Sequence, residues 1–344
     1  MDFPERPRSS TGGRVRRRRR GRATSGAELG AALDPGTESV SEPEPSREPH
    51  PGFYDALAEH VSEEAPPEPP KGARKRRGVR PNETVMRILW AIPAIVLAVT
   101  VIVAGGEIFA AAMIVFAWIG MGEFFRMVAR AKPFDLVGYA AAAGMIAAAF
   151  YGDSFHMVLA GVAFFPVMLG FAARRRSLRN VTFSMAVSVF AVIWIAIPFA
   201  HAVLLRNLPD HGAALLVNVL VATFFTDTFA YAGGRMFGRH PLAPTISPNK
   251  TIEGLAIGIL GGIAGFWFAG LYQDWLSGVD ALLMGACIAV LAPIGDLFES
   301  AIKRDLDVKD SGRVFGPHGG LLDRLDAVLF TVVAGYYLSL AVVY

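Results

Sequence analysis

Cysteine is nearly absent from this chain: Cys287 is the only one in 344 residues. An intrachain disulfide is therefore excluded. The seven histidines form no cluster with it, which argues against a zinc site. Aliphatic residues are scarce over residues 1–80, where Pro, Glu, Ser, Gly and Arg dominate. Such a segment cannot bury enough apolar surface to offset the entropy of ordering, so a disordered tail is expected there. No apolar run follows the basic residues within the first 30 positions, so the pattern of a secretory signal peptide is missing. The tail does hold five consecutive arginines, Arg16–Arg20, and a second basic cluster from Lys71 to Arg80. No folded nucleic-acid module accompanies them. They read as a topology signal that also attracts anionic lipid, and no nucleic-acid partner is expected.

What the chain has in quantity is apolar length. Hydrophobic residues make up 53% of it, in runs near the roughly 20 residues that span a bilayer. The runs predict an all-α, polytopic membrane protein with about nine transmembrane helices, near 85–104, 107–128, 134–151, 154–172, 181–205, 212–235, 253–272, 280–302 and 321–343. Lys and Arg crowd alternate loops: the tail, Arg126/Arg130/Lys132, Arg174–Arg176 with Arg179, Arg235/Arg239/Lys250, and Lys303 through Arg324. The other loops hold only Arg206. By the positive-inside rule the N-terminus is cytoplasmic and the C-terminus outside, in the cell membrane. The chain divides into a tail (1–83), an apolar N-terminal half (84–205) and a C-terminal half (206–344) that holds the polar residues. In the N-terminal half Glu123 lies one turn before Arg126, which predicts a local ion pair, and no chemistry is assigned there.

The densest charge lies between the last two runs, SAIKRDLDVKDSGRVFGPHGGLLDRLD from Ser300 to Asp326. Ionisable groups at a membrane are costly and mark functional sites. Asp296, Glu299, Ser300 and Lys303 share one helical face, and Asp323 and Asp326 lie one turn apart. At about 1.5 Å per residue, Asp296 sits on the order of 10 Å outward of Lys303, and Asp227 roughly 12 Å outward of Arg235. Carboxylates from three helices thus fall at similar depth on the cytoplasmic side. Together they would repel unless neutralised, and an all-oxygen donor set suits Mg²⁺ with substrate phosphates. Lys303, Arg304 and Lys309 are suited to a triphosphate and to leaving pyrophosphate. Gly316-Pro317-His318-Gly319-Gly320 lets backbone approach a phosphate at a helix start, and His318 either donates to a phosphate, orients a ligand or caps the loop. A second cytoplasmic element, Ser247-Pro248-Asn249-Lys250-Thr251-Ile252-Glu253-Gly254, offers Ser247, Lys250 and Thr251 as donors, or is simply a capped helix start.

Ser300-x-apolar-Lys303-Arg304, then Lys309-Asp310-Ser311-Gly312, then His318-Gly319-Gly320-Leu321-Leu322-Asp323-Arg324-Leu325-Asp326 resembles the signature of the phosphatidate cytidylyltransferase (CDP-diglyceride synthase) family at every fixed position. The 247–254 element and the run from Asp227 through Tyr231 and Arg235 to Arg239 resemble further elements of that family. The resemblance runs from about residue 84 to the C-terminus. It implies metal binding by Asp296 and Asp323, with a second cation open. Asp326 then serves in catalysis or supports the metal, or holds Arg324. It implies catalytic roles for Lys303, Arg304, Lys309, Asp310 and His318, and substrate contacts from Asp227, Arg239, Ser247, Lys250 and Thr251. It implies CTP and phosphatidic acid as substrates, a site open to membrane lipid, and a homodimer. Another CTP-using lipid enzyme, of the CDP-archaeol synthase or polyprenol kinase kind, shares a charged cytoplasmic site. A transporter would use Asp227 and Asp296 as an ion path, but polarity confined to one side argues against it.

Overall fold

In hydrocarbon a backbone has only itself to satisfy its polar groups, which leaves the helix as the spanning element. The computed structural model describes residues 96–312 and 319–344 and is built almost wholly of helices. α1 is described over 96–104. It is followed by α2 (Gly106–Met127), α3 (Asp135–Tyr151), α4 (Ser154–Ala173), α5 (Val181–Arg206), α6 (Gly212–Phe237), α7 (Ile252–Gly270), α8 (Gly278–Asp305) and α9 (Leu322–Val342). Among the described residues seven helices, α2 and α4 to α9, are long and apolar enough to cross a membrane, which is the pattern of a multi-pass membrane protein. α3 is apolar but shorter. The tail and the first part of the expected 85–104 helix lie outside the described residues.

Two local features depart from the expected helices. A short antiparallel hairpin, β1 (Pro241–Ala243) and β2 (Ser247–Thr251), stands where a loop was expected, so the fold is not purely α. Its second strand runs straight into α7, whose first turn is capped by Thr251 Oγ1 accepting from Gly254 N at 3.1 Å. α5 is interrupted by a π turn at Val192–Ala196, followed by Pro198, a residue with no N–H to give an intrahelical bond.

The helices form two connected groups. α6 and α7 pack backbone to backbone: a Cβ at Gly258 would stand 2.8 Å from Thr226 O and 2.7 Å from Ala230 Cβ. Small residues permit this approach where lipid supplies no hydrophobic drive. α8 packs against α7 and α9, and α9 also lies against the second part of α5. α2, α3 and α5 make up the other group. An aromatic cluster joins the two: Phe124 of α2, Phe190 and Trp194 of α5, Phe298 of α8 and Phe330 of α9, with ring centroids 5.3 to 6.0 Å apart. α4 turns Phe155, Val158, Leu159, Val162, Phe165 and Leu169 outward, as suits a helix with lipid for a neighbour.

Candidate active site between the hairpin, α6, α8 and α9

α8 ends in the run that projects Asp296, Glu299, Ser300 and Lys303 from one face. α9 begins with Asp323 and Asp326 one turn apart. The two helices meet closely here, since a Cβ at Gly295 would lie 2.5 Å from Asp326 O and 3.0 Å from Ala327 Cα. Lys303 Nζ bridges them, 2.7 Å from Asp323 Oδ1 and 3.1 Å from Glu299 Oε1. This pairing is well shielded: the side chains of Lys303, Asp323 and Glu299 are 14%, 13% and 0% exposed. Glu299 stands at ion-pair distance from Lys303, and among the described residues its carboxylate has no other charged donor.

Asp323 is held on three sides. It accepts from Lys303, from Ser311 N at 2.9 and 3.1 Å, and from Gly320 N at 2.7 Å. Gly319, beside it, has φ +88°, a backbone conformation that suits glycine. On the other side of the site Lys250, at the end of the hairpin, reaches Asp296 Oδ2 at 2.5 Å. Ser300 Oγ donates to Asp296 Oδ1 at 3.3 Å. Asp227 of α6 has Asp296 and Lys250 as its charged neighbours, and Asp326 has Asp296, Asp227 and Lys303. The structure thus brings Asp227, Lys250, Asp296, Glu299, Lys303, Asp323 and Asp326 into one cluster at one end of the bundle.

The remaining described candidates lie on or just before the hairpin and at or after the end of α8. Arg304 Nε donates to Ile246 O at 3.3 Å, tying α8 to the hairpin turn. Lys309 and Asp310 are exposed in the loop after α8. Ser247 is half-buried on β2, and Thr251 is occupied as a helix cap. Arg239 is exposed, and its backbone N–H, with that of His240, donates to Glu253. His318 and Arg313 lie outside the described residues. One expectation is corrected. Glu123 is not paired with Arg126: it is buried while Arg126 is exposed, and it binds the far end of the chain. Sequence reasoning placed Glu299 on the site face of its helix without giving it a role, and gave Glu123 only a local ion pair. Glu299 shared a helical face with named site residues, which was a usable signal; Glu123 had none beyond a local basic neighbour.

The donor set is all oxygen, and the carboxylates Asp227, Asp296, Glu299, Asp323 and Asp326 face two lysines, Lys250 and Lys303. With carboxylates in excess of lysines, the cluster fits a hard divalent cation. Among the described residues no three His, Cys, Asp or Glu side chains converge tightly enough to cage a metal alone. Magnesium does not need such a cage, since it is commonly held by one or two carboxylates with water and substrate phosphates.

The fold and site define a multi-pass helical membrane protein with a charged cluster set where its helices end. Residues 85–342 match the Cytidylyltransferase family, and the chain belongs to that family. Phosphatidate cytidylyltransferase of Bacillus subtilis (strain 168) is 39% identical over 149 residues, 43% of this chain and 55% of the relative. The Thermotoga maritima protein of that name is 37% identical over 156 residues, 44% and 58%. The Mycobacterium tuberculosis (strain H37Rv) protein is 34% identical over 157 residues, 46% and 48%. The matched stretch therefore spans about half the length of these relatives.

Proposed function

We propose that this protein is a CTP:phosphatidate cytidylyltransferase. An oxygen of the phosphatidate phosphomonoester attacks the α-phosphorus of CTP. The new P–O bond gives CDP-diacylglycerol, the bond to the β-phosphate breaks, and pyrophosphate leaves with its electron pair. The observation that carries this reading is the bridging of α8 and α9 by Lys303, in a cluster where carboxylates outnumber lysines. Membership of the family and the relatives named above support it.

Each side chain then has a task. Lys303 offsets the charge of Glu299 and Asp323 and keeps α8 and α9 in register. Lys250 balances Asp296 until substrate phosphates compete for it. Exposed Arg304 and Lys309 meet the departing phosphates, where charge stabilisation does most of the work of such transfers. Asp296 and Asp323 would hold Mg²⁺, with Asp326 and Asp227 beside them. When bound, the ion neutralises phosphate charge and orients the transferred group. Ser247, Thr251 and Arg239 border the nucleotide, Asp310 lies on the loop side, and the signature alone assigns His318 a catalytic role.

In this reading, supported by the basic loops, this end of the bundle and the N-terminus are cytoplasmic and the C-terminus is outside, across nine spans. CTP arrives from water and the lipid from the leaflet, and a site at the cytoplasmic interface serves both. A homodimer is part of the same reading. The reaction is tested by supplying purified protein with CTP and phosphatidic acid: CDP-diacylglycerol is expected, and its absence with Mg²⁺ present would sink the assignment.

A further inference from the structure

We infer that Glu123, in the apolar N-terminal half, is a positioning residue for the proposed nucleotidyl transfer. It is fully buried on α2, yet no ion pair neutralises it among the described residues. Its carboxylate instead accepts from Leu321 N and Leu322 N, each at 3.0 Å, one to each oxygen. Ser311 Oγ adds a third donor at 3.3 Å. Leu321 and Leu322 start α9, where N–H groups have no intrahelical partner and the helix dipole favours an anion. One acid from α2 therefore anchors both flanks of the segment joining α8 to α9.

The glycines of that segment are shaped to it. A Cβ on Gly312 would overlap the Glu123 carboxylate, with Cδ at 2.7 Å. A Cβ on Gly320 would stand 2.5 Å from Oε2 and 2.6 Å from Cδ. Both positions have to lack a side chain for the acid to reach the backbone behind them.

The consequence falls on Asp323. Its backbone donors are Ser311 N and Gly320 N, and both residues pack on Glu123. Glu123 thus fixes the frame that fixes Asp323 and, through it, Lys303. It touches no substrate. Its effect is on the alignment of groups that stabilise the transition state, so it acts on turnover more than on nucleotide affinity.

The test uses the full chain in nanodiscs as wild type, Glu123→Gln and Glu123→Asp. The Gln side chain keeps the shape but sets an NH₂ against a backbone N–H that needs an acceptor; Asp keeps the charge on a shorter arm. Amide exchange is read by mass spectrometry without substrate, over 319–326 and, as a control, over α3. In Glu123→Gln, exchange over 319–326 should rise about tenfold or more, with α3 unchanged. Its kcat should fall about tenfold or more, with KM for CTP within about twofold, and Asp should recover part of both. Unchanged exchange over 319–326, or unchanged kcat, would overturn the inference. So would faster exchange throughout the bundle, which would make Glu123 a folding residue. The inference rests on the proposed reaction, but the exchange result does not. Wild-type protein inactive toward CTP and phosphatidic acid would refute the reaction, while exchange would still decide whether Glu123 braces the start of α9.

Discussion

The family resemblance gives Asp296 and Asp323 the same metal-binding role, but the structure gives them unequal surroundings. Asp296 is 30% exposed and pairs with one lysine, whereas Asp323 is 13% exposed and accepts from Lys303, Ser311 and Gly320. Changing either to Asn should leave less than about a tenth of activity, a loss of more than roughly 1.4 kcal/mol of transition-state stabilisation. Only Asp323→Asn should also lower stability clearly, by on the order of 1–3 kcal/mol, because it strands Lys303 beside Glu299 and weakens charge-assisted bonds to backbone. Thermal unfolding in detergent checks this; equal melting of the two variants would contradict the division. The named aspartates and Lys303 were legible in sequence because their spacing on α8 and α9 is local and their residue types are costly in a membrane. Glu123 was not. Its partners are backbone N–H groups some two hundred positions away, and backbone donors leave no mark in a sequence. Arg126, one turn on, supplied a plausible but mistaken local partner.

Elements position the site through close backbone approach. α6 carries Asp227 and α7 follows directly on Lys250, so the α6–α7 spacing sets how the hairpin meets the carboxylates. Gly258→Val should force α7 away from Thr226 O and Ala230, costing about 1–3 kcal/mol and most of the activity. Gly144→Ala on α3, where a Cβ meets nothing within 4 Å, should stay within about 0.5 kcal/mol of wild type in the same unfolding measurement. Helix positions were readable from apolar length, since a span requires it. The hairpin was hidden because Ser247 to Gly254 carries a helix-start pattern, and the cap it announced falls on Thr251, the last residue of the strand. The π turn in α5 had no cue beyond Pro198; it carries Trp194, whose ring packs against Phe124 and Phe298 on other helices.

At the scale of the molecule, the cluster of carboxylates and lysines lies at one end of the bundle, which makes sidedness the decisive property. In a Cys287→Ser background, single cysteines at Thr245 and Asp307, both exposed, should react with an impermeant maleimide only from the cytoplasmic side. Cysteines at Tyr272 and Tyr344 should react from outside. Labelling of Thr245 from outside would reverse the orientation. Residues 1–70, beyond the matched family region, should be dispensable for catalysis in detergent, while Lys71–Arg80 is kept as topology signal. A correctly inserted truncation with no CTP or lipid binding would show that the tail belongs to the site. The most direct measurement is product formation by the purified full chain with α-labelled CTP, phosphatidic acid and Mg²⁺, with and without EDTA. Label should enter a lipid as CDP-diacylglycerol, one pyrophosphate should be released per lipid formed, and EDTA should stop both until Mg²⁺ is restored. Label remaining wholly in water-soluble nucleotide, with Mg²⁺ present and Lys303, Asp296 and Asp323 intact, would contradict the account.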